Sequence, residues 1–256
     1  MSDYRALLSV AEGAAREAGR ILSSAGSELK AVHFQDASDV KLAADLESEK
    51  RIRERLRRES PYPVVGEEEG GDASLTGRYE PYWVVDPLDG THNYLRGVPS
   101  CCVSIGLMRG ETPILGVVHD FNRDECFSGI VAEGFWLNGE ALRPHWAKSR
   151  EQASLQTGFP AGMEKSAVSL NQFIGQVQQY KKVRMIGSAA LALAYVACGR
   201  FDVYYESAIR LWDVAGGLAL IQAAGGVVRM SKHPSDKTLA YDVWAAGKSA
   251  LLPDSE

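Results

Sequence analysis

The run Trp83-Val84-Val85-Asp86-Pro87-Leu88-Asp89-Gly90-Thr91 carries an apolar strand into two carboxylates and a turn that can open a helix. Asp86 and Asp89 stand three residues apart across Pro87, whose fixed φ bends the chain out of the strand so that both side chains can face one point. Two carboxylates about 4 Å apart repel by roughly 4 kcal/mol at an effective dielectric of 20, so a converging pair calls for a cation or a shared proton. Oxygen-only ligands favour magnesium, calcium or manganese over zinc. A surface turn with two solvated aspartates fits the spacing as well, but such a turn needs no apolar strand to deliver Asp86.

If a helix begins near Gly90, its free N–H groups and positive dipole end suit a phosphate held by the cation; Thr91 read alone is a plain N-cap. Upstream, Val64-Val65-Gly66-Glu67-Glu68-Glu69 places three acids directly after a short apolar strand, where they form either a solvated loop or further ligands beside Asp86. Downstream, Leu211-Trp212-Asp213-Val214 opens an apolar helix at Asp213, which reads as an N-cap and also as a carboxylate aimed outward from a rigid element.

The elements that must position these groups are legible from periodicity. Tyr4 to Ser24 and Leu42 to Glu59 are amphipathic helices, the second with Leu42, Leu46, Ile52 and Leu56 on one arc and a polar, irregular stretch from Lys30 to Lys41 before it. A short strand is expected at Val64–Val65, and strands at Tyr82 to Val85, Cys102 to Leu107, Ile114 to Val118 and Cys126 to Ile130 read as an antiparallel sheet. From about Ser149 helices and strands alternate: helix Ser166 to Gln179, strand Val183 to Ile186, helix Ala189 to Cys198 and strand Phe201 to Tyr205. A helix from Val214 to Ala224 and strands near Val227 to Met230 and Val243 to Ala245 complete the chain. The division implied is an N-terminal α+β half, residues 1–148, carrying most of the acids, and a C-terminal α/β half, residues 149–256, carrying Asp213 and the substrate side.

The 256 residues are 45% hydrophobic with a net charge of -5, so no global positive field attracts nucleic acid or an anionic membrane. No run approaches the roughly 18 apolar residues of a membrane span, and Met1 to Arg5 lacks the basic start of a signal peptide, so a soluble cytoplasmic protein is expected. The four cysteines have no metal-ligand spacing and read as reduced, structural thiols. P-loop, G-x-G-x-x-G, G-x-S-x-G and H-E-x-x-H patterns are missing from the sequence, and the five histidines are scattered.

Taken together, Gly66-Glu67-Glu68, Asp86-Pro87-Leu88-Asp89-Gly90-Thr91 with Asn93-Tyr94, and Trp212-Asp213-Val214-Ala215-Gly216 resemble the inositol monophosphatase family in content, order and spacing. Val103 to Gly106, Gly187 to Ala190, Tyr204 to Glu206 and Ala223 to Gly226 extend the resemblance over most of the chain. It implies a layered αβαβα fold, magnesium-dependent hydrolysis of a phosphate monoester, sensitivity to lithium and a homodimer. It further implies that Glu67, Asp86 and the Leu88 carbonyl bind one metal, that Asp86, Asp89 and Asp213 bind a second, and that Glu67 helps hold a third through water. Thr91 with Glu67 would orient and deprotonate the attacking water, the Gly90 and Thr91 amides would receive phosphate, and Glu206, with Ser188 and Ala189 nearby, would meet a hydroxyl of the substrate. Arg210 would offer a charge to a second phosphate or pair with an acid.

Two positions depart from the family pattern. Asp45 is kept, but the Thr shortly before it and a Lys further upstream, which falls here on Phe34, are not; the third metal and lithium sensitivity then depend on Lys30 or Lys41. His92-Asn93-Tyr94 after Gly90-Thr91 favours inositol or a similar polyol phosphate over a 3′(2′)-phosphoadenosine-type nucleotide, with fructose bisphosphate, histidinol phosphate and NADP as further substrates to weigh. The alternative of another class is a regulatory protein on the same fold that contacts RNA or a polymerase.

Overall fold

The computed structural model describes residues 3–25, 32–35, 40–159, 166–234 and 239–253. It is built of layers. Helices α1 (Tyr4–Ser24) and α2 (Ala43–Glu59) cover one face of a seven-stranded sheet, and β1 (Val32–Gln35) and β2 (Val40–Leu42) pair antiparallel between them, in a stretch the sequence leaves irregular.

The large sheet runs in the order β3 (Val64–Gly66), β4 (Pro81–Asp89), β5 (Cys102–Arg109), β6 (Thr112–Asp120), β7 (Glu125–Ile130), β8 (Gly134–Leu137) and β9 (Glu140–Ala141). All its pairings are antiparallel except β3 on β4. After β4 comes one turn of helix, α3 (Thr91–Leu95). The second sheet has the order β11 (Lys182–Arg184), β10 (Ser154–Thr157), β12 (Val203–Arg210), β14 (Ala240–Ala246) and β13 (Val227–Lys232). Helices α5 (Ala189–Ala197) and α6 (Leu211–Ala223) lie between the sheets, and α4 (Ala167–Val177) brings Val177 against the apolar cluster that holds Leu155 and Val203 of the second.

Strands β8, β9 and β10 are not evident in the sequence. For β10 the reason is physical: Ser-Leu-Gln-Thr has the polarity of a loop, yet Gln156 and Thr157 are buried in the middle of a sheet. The arc of α2 also differs from expectation. Leu46 is only half-buried, whereas Asp45, Glu49 and Arg53, one helical turn apart, take the buried stripe beside Ile52 and Leu56.

Helix α6 is the pivot of the layering, because it touches the large sheet on one side and β12, β13 and β14 on the other. It settles on β5 and β6 backbone to backbone: a Cβ at Gly116 would lie 2.2 Å from the Gly216 carbonyl oxygen, a distance no side chain can occupy. That approach fixes the height of the first turn of α6, and so of Asp213, above the sheet.

A candidate metal centre at the end of the large sheet

Side chains along a strand alternate between faces, so residues three apart ordinarily point opposite ways. In β4 they do not, because the register against β5 runs Asp86 to Ser104 and then Asp89 to Cys102, three residues opposing two. The extra residue is a bulge at Pro87-Leu88, where Pro87 lacks the N–H that a continuous ladder would need. It returns Asp89 to the face of Asp86. The proline thus acts inside the strand, not by ending it as the sequence suggests.

That face looks toward α5 and α6. Ser104, opposite Asp86, lies where a Cβ on Gly216 of α6 would come within 2.6 Å of its hydroxyl. Glu67, Asp86 and Asp213 converge there, with a carboxylate oxygen from each within 4.8 Å of the others. Glu67 is delivered by the loop after β3, whose parallel pairing with β4 puts Gly66 beside Val85, and its own amide donates to the Val85 carbonyl at 3.2 Å. Asp213 is the third residue of α6, one turn inside the expected N-cap, because Leu211 and Trp212 are already helical. Its Oδ2 accepts the Arg210 amide at 3.1 Å, which anchors the carboxylate at the helix mouth.

Asp86 is almost completely buried. Its Oδ1 accepts the Leu88 amide at 3.0 Å, while Oδ2 has no hydrogen-bond partner among the described residues. Burial foremost, then the charges of Glu67, Asp89 and Asp213, push its carboxyl well above the ordinary range. An orphaned carboxylate oxygen facing two more carboxylates is an arrangement that a hard divalent cation satisfies and water alone does not.

Asp89 stands beside this group and is held differently. Its Oδ2 accepts Ser188 Oγ at 2.5 Å and the Ala190 amide at 2.7 Å, and Oδ1 accepts the Ala189 amide at 3.3 Å. It therefore sits on the N-terminus of α5, where the helix dipole favours negative charge. Burial raises its pKa, and these hydrogen bonds pull against the rise. Ser188 and Ala189, expected on the substrate side, are turned to Asp89: the Ser188 proton and the Ala189 amide are both spent on it.

Thr91 is the first residue of α3, with Gly90 in the cap position, so it is not the N-cap. Its hydroxyl donates to the Leu88 carbonyl at 3.0 Å, which leaves the Thr91 oxygen only able to accept. Asn93 ties this turn to the approach of α5 by donating to the carbonyls of Ser100 at 2.8 Å and Ile186 at 2.7 Å.

Glu206 lies farther out on β12, half-buried. Burial, then the charges of Asp213 and Asp89, push its carboxyl up to about 8. Room for it is left by Gly158, where a Cβ would come within 2.6 Å of Glu206 Oε1. Behind it the buried Tyr204 hydroxyl and both amide atoms of Gln156 have no partner among the described residues. Arg210, just before α6, lays its guanidinium 5.6 Å from the Trp212 ring. Lys30 lies outside the described residues, as do the side chains of Phe34 and Lys41.

Glu49 and Arg53, which hold the Glu67 loop, have no place in the sequence reading. Charged residues on a helix read as its wet face; the signal available was that residues 45, 49 and 53 fall on the same arc as Ile52 and Leu56.

The fold and site together define a layered α/β protein with a cluster of converging carboxylates between its two sheets. Residues 3–253 match the inositol monophosphatase family. The Nus factor SuhB of Xylella fastidiosa is 41% identical over 84% of this chain and 78% of its own length, and inositol monophosphatase 1 of Solanum lycopersicum is 36% identical over 86% and 83%. A solved structure of inositol monophosphatase from Anabaena (Nostoc) sp. PCC 7120 superposes with a TM-score of 0.79 at 32% identity, covering 97% of this chain and 93% of that one. The chain belongs to the inositol monophosphatase family, as its motifs suggest, a family of hydrolases that act on small phosphate substrates and generally use magnesium. Among the described residues no helix is long and apolar enough to cross a membrane.

Proposed function

We propose that the protein is a magnesium-dependent phosphomonoesterase whose substrate is inositol monophosphate or a related polyol phosphate. The observation that carries this reading is the convergence of Glu67, Asp86 and Asp213 within 4.8 Å around the unpartnered Oδ2 of Asp86. Glu67, Asp86 and the Leu88 carbonyl would hold one cation, and Asp86, Asp89 and Asp213 a second; Glu67 would also share a third.

Phosphoryl transfer asks for in-line positioning and neutralised oxygens more than covalent help. Magnesium, when bound, supplies that neutralisation and acidifies water. The protein's own groups do the rest. Thr91, whose proton is committed to Leu88, accepts a hydrogen bond from one O–H of the attacking water and so orients it, and Glu67 takes the water's other proton directly. The amides of Gly90 and Thr91 receive the phosphate. Glu206, a carboxyl on β12 beyond the acidic cluster, can accept from a hydroxyl and would repel an anion while charged, which suits a polyol leaving group better than a second phosphate. Family resemblance adds a homodimer to this reading, and lithium inhibition on the condition that Lys30 or Lys41 replaces the lysine that falls on Phe34.

The test is phosphate release from a panel of inositol monophosphates, 2′- and 3′-nucleotides, fructose bisphosphate, histidinol phosphate and NADP, with magnesium, with chelator, and with Asp213→Asn. Turnover of the polyol phosphates that collapses with chelator and in the variant is expected. Release undiminished in either arm would sink the reading.

A regulatory role is the second reading, favoured by the 41%-identical relative named a Nus factor. Salt-dependent binding to RNA or to RNA polymerase, unchanged in Asp213→Asn, would support it.

A further inference from the structure

Glu49 and Arg53 form an ion pair in the interior of the N-terminal half, at 0% and 4% side-chain exposure and 2.7 Å apart. Buried pairs contribute little to stability compared with apolar residues of the same size, because desolvation offsets the attraction. What distinguishes this one is where its remaining hydrogen-bonding capacity goes. Glu49 accepts the amides of Glu68 at 2.8 Å and Glu69 at 2.9 Å. Arg53 donates to the Val64 carbonyl at 3.1 Å and the Gly70 carbonyl at 2.5 Å. Each of these contacts falls on the backbone that brackets Glu67, and Arg53 Nε also lies 3.4 Å from the Glu69 carboxylate.

The loop is gripped from both sides. A carboxylate takes the two amides that follow Glu67, and a guanidinium takes the carbonyls at either foot, where the Gly66 amide meets the Gly70 carbonyl at 2.9 Å. The seat is tight enough to exclude a side chain at residue 66, since a Cβ there would lie 2.4 Å from Glu49 Oε1. A loop with three successive glutamates would otherwise swing outward to hydrate its charges.

We propose that Glu49 and Arg53 are positioning residues that hold the Glu67 carboxylate at the cation centre, and so set the centre's affinity. This rests on the reading of Glu67, Asp86 and Asp213 as cation ligands. Glu49 works through the backbone of the loop and touches no cation or substrate.

The test uses manganese as the probe, titrated into the full-length protein without substrate and followed by the electron paramagnetic resonance of the free ion. Glu49→Gln keeps the shape but pairs an N–H with a backbone amide; its manganese affinity should fall about tenfold, equivalent to roughly 1.4 kcal/mol. Glu67→Gln should weaken binding at least as much, and the double variant no further than Glu67→Gln alone, because the first substitution acts only through Glu67. Arg53→Lys retains the charge but loses the fork that spans the two carbonyls, and should cost about threefold, an effect that vanishes in the Glu67→Gln background. It decides the matter if Glu49→Gln fails to fold.

A lowered melting temperature with unchanged manganese affinity in both Glu49→Gln and Arg53→Lys would reduce the pair to a loop brace and overturn the proposal. Additive losses in the double variant would do the same. If Glu67→Gln itself binds manganese undiminished, the cation reading of the site fails and the positioning role falls with it.

Discussion

Asp86 illustrates how a single side chain can work against the stability of the fold it serves. With no cation, its buried carboxylate faces Glu67, Asp89 and Asp213, and each charge pair at contact distance costs on the order of a few kcal/mol at an effective dielectric near 20. Asp86→Asn should therefore raise the melting temperature of chelated protein by about 2–4 °C, the shift that ~1 kcal/mol produces in a chain of this size, while lowering magnesium-dependent phosphate release at least 100-fold. Differential scanning fluorimetry in chelator, run beside the activity assay, checks both. A pH dependence has the same origin. Asp86 and Glu206 have folded-state values raised above their unfolded ones, so the native state binds more protons and stability falls as pH rises. The chelated protein should lose melting temperature from about pH 5 through pH 8, where Glu206 gives up its proton. Added magnesium should restore more at pH 8 than at pH 5, because it takes the place of the protons.

At the scale of elements, the site depends on where α6 sits, and α6 sits where glycine allows. Gly116→Ala forces a methyl into the Gly216 carbonyl, which must move the helix or the strand. The expected cost is about 1–3 kcal/mol of stability, with a rise in the magnesium concentration for half activity as Asp213 is displaced. Urea melts and a magnesium titration of turnover test the two parts. A helix that stayed in register would show the first change without the second. How much of this was legible in the sequence follows from what each element advertises. Trp83 to Thr91 announced itself because an apolar run ending in paired aspartates is rare in a soluble strand. The bulge at Pro87-Leu88 did not, since the register that makes two faces one belongs to the partner strand. Strand β10 was hidden by Gln156 and Thr157, whose polarity argues for a loop until their burial is seen. The start of α6 was displaced from Leu211 to Asp213 because a capping aspartate and an N3 aspartate look the same in a sequence; only the bond from Asp213 back to the Arg210 amide separates them.

For the molecule as a whole, the two halves expected from the sequence share one interior. Val84, Cys102 and Val118 of the large sheet lie in the same buried cluster as Leu193, Leu218 and Val243. Residues 1–148 and 149–256 are thus expected to unfold together, in one calorimetric transition whose midpoint rises with magnesium concentration. Two resolved transitions, only one of them responding to the cation, would show instead that the halves are separable. The layered plan was readable from the alternation of helices and strands after Ser149, whereas the sharing of a core was not, since nothing local in α6 records that both of its sides are covered.

Gly116 and Gly158 differ in what a new side chain would have to displace. One arriving at Gly116 strikes the Gly216 carbonyl, so the whole of α6 must give way; the nearest atoms to one arriving at Gly158 are the carboxylate end of Glu206, a single side chain. Under the proposed role of Glu206, substitution at residue 158 is thus the smaller step, one that alters which alcohol is accepted while the three converging carboxylates keep their places.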